Sequence, residues 1–296
     1  MWLSFLLLLQ VPMIFLENIT SVDHYMDTGY SHLSSHLVSL RTRKFIHSPG
    51  DNHFCTGVIL TNHHILTSAH CLTDKRGLMT KKKRIVVALC AAIFKIPESE
   101  EFLMEIENMV IHPYYRRNQR DDLAVIKLKR TIKFDVHHLA KAAIGNYSLE
   151  VGKDCKTIGG NFGIRMQKLE SFPNKLFLDV TLRPFEECLD AKKDLKEGYA
   201  ESEDLICAKS LEPRICITDF GGPLFCDGQL YGIALGAVNC SSTDPVFFSH
   251  VPFYSSWMNK MMSQGLELQP HHKWIFFFTF LNCILGNFHL HQSVDI

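Results

Sequence analysis

One eleven-residue segment between two cysteines, Cys216 to Cys226, constrains this chain more than any other stretch. It reads Cys-Ile-Thr-Asp-Phe-Gly-Gly-Pro-Leu-Phe-Cys, in a chain of 296 residues with ten cysteines. A cysteine-rich chain that begins with an apolar segment and contains glycosylation sequons is typical of the secretory route, where disulfides form and persist. The formal net charge is zero, so we expect no nucleic-acid partner.

The segment resembles the nucleophile loop of the trypsin/chymotrypsin family of serine proteases, whose usual form is Cys-x-Gly-Asp-Ser-Gly-Gly-Pro. Phe220 stands at the position of the nucleophilic serine, and Thr218 stands where a glycine normally supplies an oxyanion-hole amide. Phenylalanine has no nucleophilic atom, and loss of the serine alone removes about a million-fold of turnover. A β-branched residue also avoids the backbone angles that glycine tolerates. The resemblance therefore implies a protease fold that has lost its chemistry.

Two further motifs carry the resemblance. Thr-Ser-Ala-His-Cys, which ends at Cys71, matches the family's histidine motif and makes His70 the counterpart of the general base. Asp122, at the start of an apolar strand-like run, matches the carboxylate that orients this histidine. His70 and Asp122 are thus retained positions of the catalytic triad, with no serine to serve. The neighbouring Asp121 matches no family role, and we expect it to be exposed.

The specificity pocket and the activation segment also depart from the family pattern. Arg214 falls where trypsin-like enzymes have the aspartate that binds lysine or arginine, so the charge of the pocket is reversed. No arginine or lysine lies between Thr20 and Leu37, where family zymogens are cut. Asp219 is therefore expected to lack the new amino terminus that is its usual partner.

The resemblance covers about Leu37 to Gln264 and implies an all-β fold of two six-stranded antiparallel β-barrels with a C-terminal helix. We expect a signal peptide over residues 1–22, with an uncleaved anchor as the alternative. The trypsin-like domain then spans residues 23–264 and a C-terminal tail spans 265–296.

The tail contains an apolar segment, residues 274–285, that is short for a membrane span. Three interpretations stay open: a glycolipid-anchor signal, a short transmembrane anchor or an additional packed helix. The first two would attach the protein to a membrane. We therefore expect the chain in the secretory pathway, either secreted or attached at the cell surface.

The resemblance implies four disulfides, although spacing alone does not define which cysteines pair. Each should contribute roughly 2–4 kcal/mol to stability. Cys90 and Cys283 are left without a partner. The implied pairs are Cys55–Cys71, Cys155–Cys226, Cys188–Cys207 and Cys216–Cys240.

Three Asn-x-Ser/Thr sequons occur, at Asn18, Asn146 and Asn239. Asn18 lies close to the expected signal cleavage site, and Asn239 is hindered if the next residue, Cys240, forms a disulfide. Asn146 is therefore the best candidate for glycosylation.

The loop from Asp74 to Arg84 carries six lysine or arginine residues. Such a run indicates either a site for anions or sulfated glycans, or a solvated surface loop, and we favour the solvated loop. Several histidines occur in pairs, but their spacing gives no closed set of metal ligands. We expect neither a metal nor another cofactor.

The leading hypothesis is an inactive serine protease homologue, secreted or membrane-attached, that acts by binding another protein. The sequence does not specify that protein. The alternative is a residual or unusual serine-type hydrolase, which would react with a serine-directed probe in a manner that depends on His70. A relic without a selected function is the third possibility.

Overall fold

The structure is a computed structural model that describes most of the region resembling trypsin. The expected signal peptide 1–22 and the C-terminal tail 265–296 lie outside the described residues, as do Cys90 and Cys283. Within the described ranges, no helix is both long and apolar enough to span a membrane. The described residues are 31–44, 52–89, 101–117, 120–137, 139–158, 177–191, 203–211, 220–235 and 245–263.

Seven antiparallel strands form the N-terminal barrel: β1 (Leu37–Thr42), β2 (His53–Ile59), β3 (His64–Thr67), β4 (Ile85–Leu89), β5 (Leu103–Met104), β6 (Ile106–Ile111) and β7 (Ala124–Leu128). Their spatial order is β5-β4-β1-β2-β3-β7-β6. Six strands were expected here, and the additional one is β5, a two-residue strand that pairs with β4. Apolar and β-branched side chains fill the interior, which is why β4 is buried along its whole length.

Six strands close the C-terminal barrel, as expected: β8 (Asp154–Ile158), β9 (Phe177–Arg183), β10 (Leu205–Ser210), β11 (Pro223–Cys226), β12 (Gln229–Ala234) and β13 (Val246–His250). Asp227 and Gly228 connect β11 to β12, and both have positive φ angles, 49° and 76°. Two consecutive positive φ angles match the tight hairpin turn that Asp-Gly favours.

The helices are short, apart from the C-terminal one: α1 (Ser31–Ser34), α2 (Ala69–Leu72), α3 (Phe134–His137), α4 (Phe185–Ala191) and α5 (Ser255–Ser263). Met258 of α5 is fully buried in an apolar cluster that both barrels share. Leu66 belongs to this cluster from the first barrel, and Phe225 belongs to it from the second. The cluster therefore packs the barrels against each other and positions the loops between them.

Three of the four implied disulfides lie within the described residues. Cys55–Cys71 joins β2 to α2, Cys155–Cys226 joins β8 to β11, and Cys188–Cys207 joins α4 to β10. The Cys155–Cys226 bridge spans 71 residues, for which restriction of the unfolded chain gives about 4 kcal/mol. Cys216 and Cys240 lie outside the described residues.

Candidate functional site

Strand pairing brings the two retained triad positions together. His70 lies on α2, directly after β3, and Asp122 lies just before β7. Because β3 and β7 pair through Thr67 and Ala124, His70 and Asp122 meet although 52 residues separate them. Phe220 reaches the same place from the second barrel, where its carbonyl accepts a hydrogen bond from the Thr56 amide at 3.0 Å.

The Asp122 carboxylate holds the backbone of the histidine turn. It is 3 % exposed and its Oδ1 accepts hydrogen bonds from the Ser68 hydroxyl at 2.7 Å and from the His70 amide at 2.8 Å. Among the hydrogen bonds of the described residues, none joins this carboxylate to the imidazole of His70, which is the contact that a working triad requires. Burial raises the pKa of Asp122 to about 6, against the opposing effect of these hydrogen bonds.

Two side chains contact the His70 imidazole. The Phe220 ring stacks on it with 4.3 Å between ring centroids and 10° between planes. Arg117 Nη2 lies 3.0 Å from His70 Nε2, and because a guanidinium only donates, Nε2 must accept. Burial first, and the Arg117 charge second, lower the pKa of His70 to about 4. The nitrogen that would take a proton from a nucleophile therefore already has a donor.

Arg117 also links its own loop, between β6 and β7, to the segment that follows α2. Its Nη1 donates to the Asp74 carbonyl at 3.0 Å and lies 3.4 Å from the Thr73 hydroxyl. The Tyr115 hydroxyl lies 3.4 Å from the same Thr73 hydroxyl. Sequence analysis missed Arg117, because 47 residues separate it from His70 and no local pattern marks the contact.

Asp121 was expected to be exposed, but the structure shows that it is only partly exposed. Its side chain is 24 % exposed, it accepts a hydrogen bond from the Tyr254 hydroxyl at 3.2 Å, and it lies 3.3 Å from His112 Nδ1. Its φ angle is 58°, a left-handed conformation that aspartate tolerates better than most residues. Asp121 thus links the N-terminal barrel to the turn that precedes α5.

Some of the remaining expected site positions lie within the described residues, and others lie outside them. Asn146 is exposed, as glycosylation requires. Thr218, at the oxyanion position, and Arg214, at the specificity-pocket position, lie outside the described residues, together with Asn18 and Asn239.

The buried charge on Asp122 predicts a pH-dependent effect of Asp122→Asn. Because the folded-state pKa lies above the ordinary 3.8, the carboxyl contributes stability at low pH that is lost as the pH rises through about 6. Asparagine keeps an acceptor oxygen and carries no charge. We expect Asp122→Asn to gain about 1–3 kcal/mol relative to the natural chain between pH 4.5 and pH 7.5, measured by denaturant unfolding at both pH values.

The exposed Asp135→Asn is the control for loss of one negative charge. A relative loss of stability for Asp122→Asn on going to neutral pH would contradict this account. It would mean that the carboxylate is a stabilising anion in the folded protein, as it is when it pairs with an imidazole.

This chain is similar to members of the trypsin family in both sequence and structure. The trypsin family model matches residues 27–258. Trypsin-3 of Salmo salar is 26% identical over 218 residues, covering 72% of this chain and 84% of that protein. A β-fibrinogenase-like protein of Daboia siamensis is 27% identical over 214 residues, covering 71% and 78%. Among solved structures, neuropsin, a serine protease expressed in the limbic system of mouse brain, superposes with a TM-score of 0.58 at 24% identity, covering 78% of this chain and 96% of that one.

Proposed function

This chain belongs to the trypsin family, and we propose that it is a member without protease activity that acts by binding another protein. One observation carries the proposal: Phe220 covers the His70 ring while Arg117 donates to its Nε2. Proteolysis in this family needs a hydroxyl beside a base that can take its proton. Here a phenyl ring occupies the position of the hydroxyl. The ring nitrogen of His70 that would accept the proton already accepts a hydrogen bond from an Arg117 N–H.

The losses act on the same chemical step. Absence of the nucleophile alone removes about a million-fold of turnover. A histidine whose pKa is about 4 is also a weaker proton acceptor than an ordinary imidazole, which lowers the driving force for general-base catalysis. The carboxylate that should orient the imidazole bonds to the backbone instead. Restoring one of these features would leave the others in place.

A rigid loop beside the filled cleft supports a binding role. The Asp74 amide donates to the Leu78 carbonyl, Met79 bridges to Thr73, and Arg117 donates to the Asp74 carbonyl at the start of this loop. Leu78 and Met79 are nevertheless 57% and 46% exposed. Two adjacent apolar side chains held in fixed positions at a cleft rim are suited to contact with a protein surface.

Passage through the secretory pathway is part of the proposal. The three disulfides fit that route, because such bonds persist in oxidising compartments. The exposed sequon at Asn146 fits it as well.

A serine-directed fluorophosphonate probe tests the loss of activity. We expect no labelling of the purified, glycosylated natural chain, because Phe220 stands at the nucleophile position and Arg117 already donates to His70 Nε2. Labelling of a Thr218→Gly/Phe220→Ser variant should rise when Arg117→Gln is added, since this releases His70 Nε2. It should stay unchanged with Arg116→Gln, the exposed neighbour. Labelling of the natural chain that disappears in His70→Ala would overturn the proposal.

The binding part of the proposal is tested with a photoreactive amino acid at position 78 and, as a matched exposed control, at Val151, which is 65% exposed. We expect a cross-linked protein that is specific to position 78. The same products from both positions would mean that the loop rim is not a binding surface.

A further inference from the structure

A basic surface on the N-terminal barrel combines cations from three separate parts of the chain. We call it the basic face. Eight of its nine cations are exposed, and the ninth, Lys127, is partly exposed. They are Arg43, Lys44, Lys81, Lys82, Lys83, Arg84, Lys127, Lys129 and Arg130.

Hydrogen bonds and ion pairs connect these parts. Arg43 Nε donates to the Lys83 carbonyl at 2.6 Å, which joins the end of β1 to the loop before β4. Arg43 and Lys129 both pair with Glu105, at 3.0 and 2.6 Å. These contacts join the loop before β4 to the end of β1 and to the end of β7 in one surface, and the cations of the loop are exposed, as in the solvated loop that the sequence favoured.

A second carboxylate links the other half of the surface. Lys127 pairs with Glu107 at 2.9 Å, and Lys82 donates to the Glu107 carbonyl. Arg130 donates to the Leu103 carbonyl at 2.9 Å, which places it at β5. Glu105 and Glu107 thus lie among the cations and hold them at close spacing.

Positive charge exceeds negative charge on this face. Two carboxylates, Glu105 and Glu107, pair with three of the nine cations. The whole chain has a formal net charge of zero, so residues other than these nine and their partners carry the balancing negative charge. A local excess of this kind attracts a polyanion, whereas a uniformly mixed surface does not.

We infer that the basic face binds a sulfated glycan. The disulfides fit a protein that passes through the secretory route, beyond which sulfated polysaccharides are the polyanions met at cell surfaces. The inference does not rest on the proposed loss of protease activity, since an active enzyme could carry the same surface.

Heparin is the probe for this surface, and a matched pair of variants tests it. Lys81→Gln/Lys83→Gln/Arg84→Gln removes three exposed cations from the face. Lys141→Gln/Lys209→Gln/Lys260→Gln removes three cations elsewhere and changes the net charge equally. Lys81→Arg/Lys83→Arg keeps both charges and should retain binding. Thermal unfolding of each variant checks that it is folded.

We expect the natural glycosylated chain to bind heparin at 0.15 M NaCl and to fail to bind desulfated heparin. Loss of the three face cations should weaken binding at least about tenfold. It should also make the negative slope of log affinity against log salt concentration shallower by about 2, because fewer counterions are released. The control triple variant should bind within about twofold of the natural chain. Equal loss in both triple variants, or absence of heparin binding by the natural chain, would overturn the inference. Binding of a DNA duplex as tightly as heparin would assign the face to nucleic acid instead.

Discussion

The pKa of His70 is expected to rise from about 4 toward its ordinary value of 6.5 when Phe220→Ala and Arg117→Gln are combined. Burial is the larger cause of the low pKa, and the stacked Phe220 ring contributes to this burial. The Arg117 charge is the second cause. Removing the ring admits water to the imidazole, and removing the guanidinium takes away a cation that opposes protonation.

The single variants separate the two causes. Phe220→Ala and Arg117→Gln should each raise the pKa of His70, and the double variant should raise it further than either. NMR titration of histidine-labelled protein measures the pKa, and the resonance is assigned from its loss in His70→Gln. Arg116→Gln, which alters an exposed neighbour of Arg117, should leave the titration unchanged.

A double variant in which His70 still titrates near pH 4 would contradict the arrangement of these three side chains. It would mean that burial by the rest of the cleft, rather than Phe220 and Arg117, keeps the imidazole neutral. The expected result would instead show that these two side chains disable the base as well as replace the nucleophile. This distinguishes a site closed by its own residues from one that merely lacks a serine.

Gly221→Ala is expected to destabilise the protein by about 3–5 kcal/mol, which combines the cost of a left-handed alanine with that of overpacking. Gly221 has a φ angle of +76°, and a Cβ there would lie 2.3 Å from the Thr56 carbonyl oxygen and 2.4 Å from Thr67 Oγ1. The Thr56 carbonyl already accepts a hydrogen bond from Thr67 Oγ1 at 2.7 Å. Neither atom can move without breaking contacts between β2 and β3.

Gly228→Ala is the matched control. It has the same φ angle of +76°, but nothing lies within 4 Å of the added Cβ. Its cost should therefore be the conformational one alone, about 1–2 kcal/mol. Denaturant unfolding of both variants measures the difference, and equal destabilisation would show that the close approach at Gly221 is absent in solution.

The close approach at Gly221 gives a reason for the nucleophile-loop motif to be present without its serine. In an active protease the turn at Gly-Gly-Pro places the nucleophile, but here the same turn places Phe220 against His70 and lets Gly221 pass close to Thr56. The packing of the second barrel against the first requires glycine at that position, whatever residue precedes it. The motif therefore has a structural role that does not depend on catalysis.

The sequence predicted the architecture well and the side-chain contacts of the site poorly. Both barrels, the C-terminal helix and the cysteine pairs of the described residues were implied by the family resemblance, which rests on motifs that are local in the chain. Strand β5 was missed because two residues give no periodic pattern. Asp121 was expected to be exposed because it matches no family role, and no local pattern reveals its contact with Tyr254, which lies 133 residues away.

By itself, the sequence determined that no hydroxyl stands at the nucleophile position, because the identity of Phe220 is a chemical fact that no conformation alters. Only the tertiary structure decided which side chains surround His70. Arg117 reaches His70, and cations from three parts of the chain form one basic face, because strand pairing and loop packing bring distant side chains together. Such contacts depend on the register and direction of many elements at once. Local sequence patterns indicate the preferred secondary structure of each element. They do not indicate which distant side chains will be in contact.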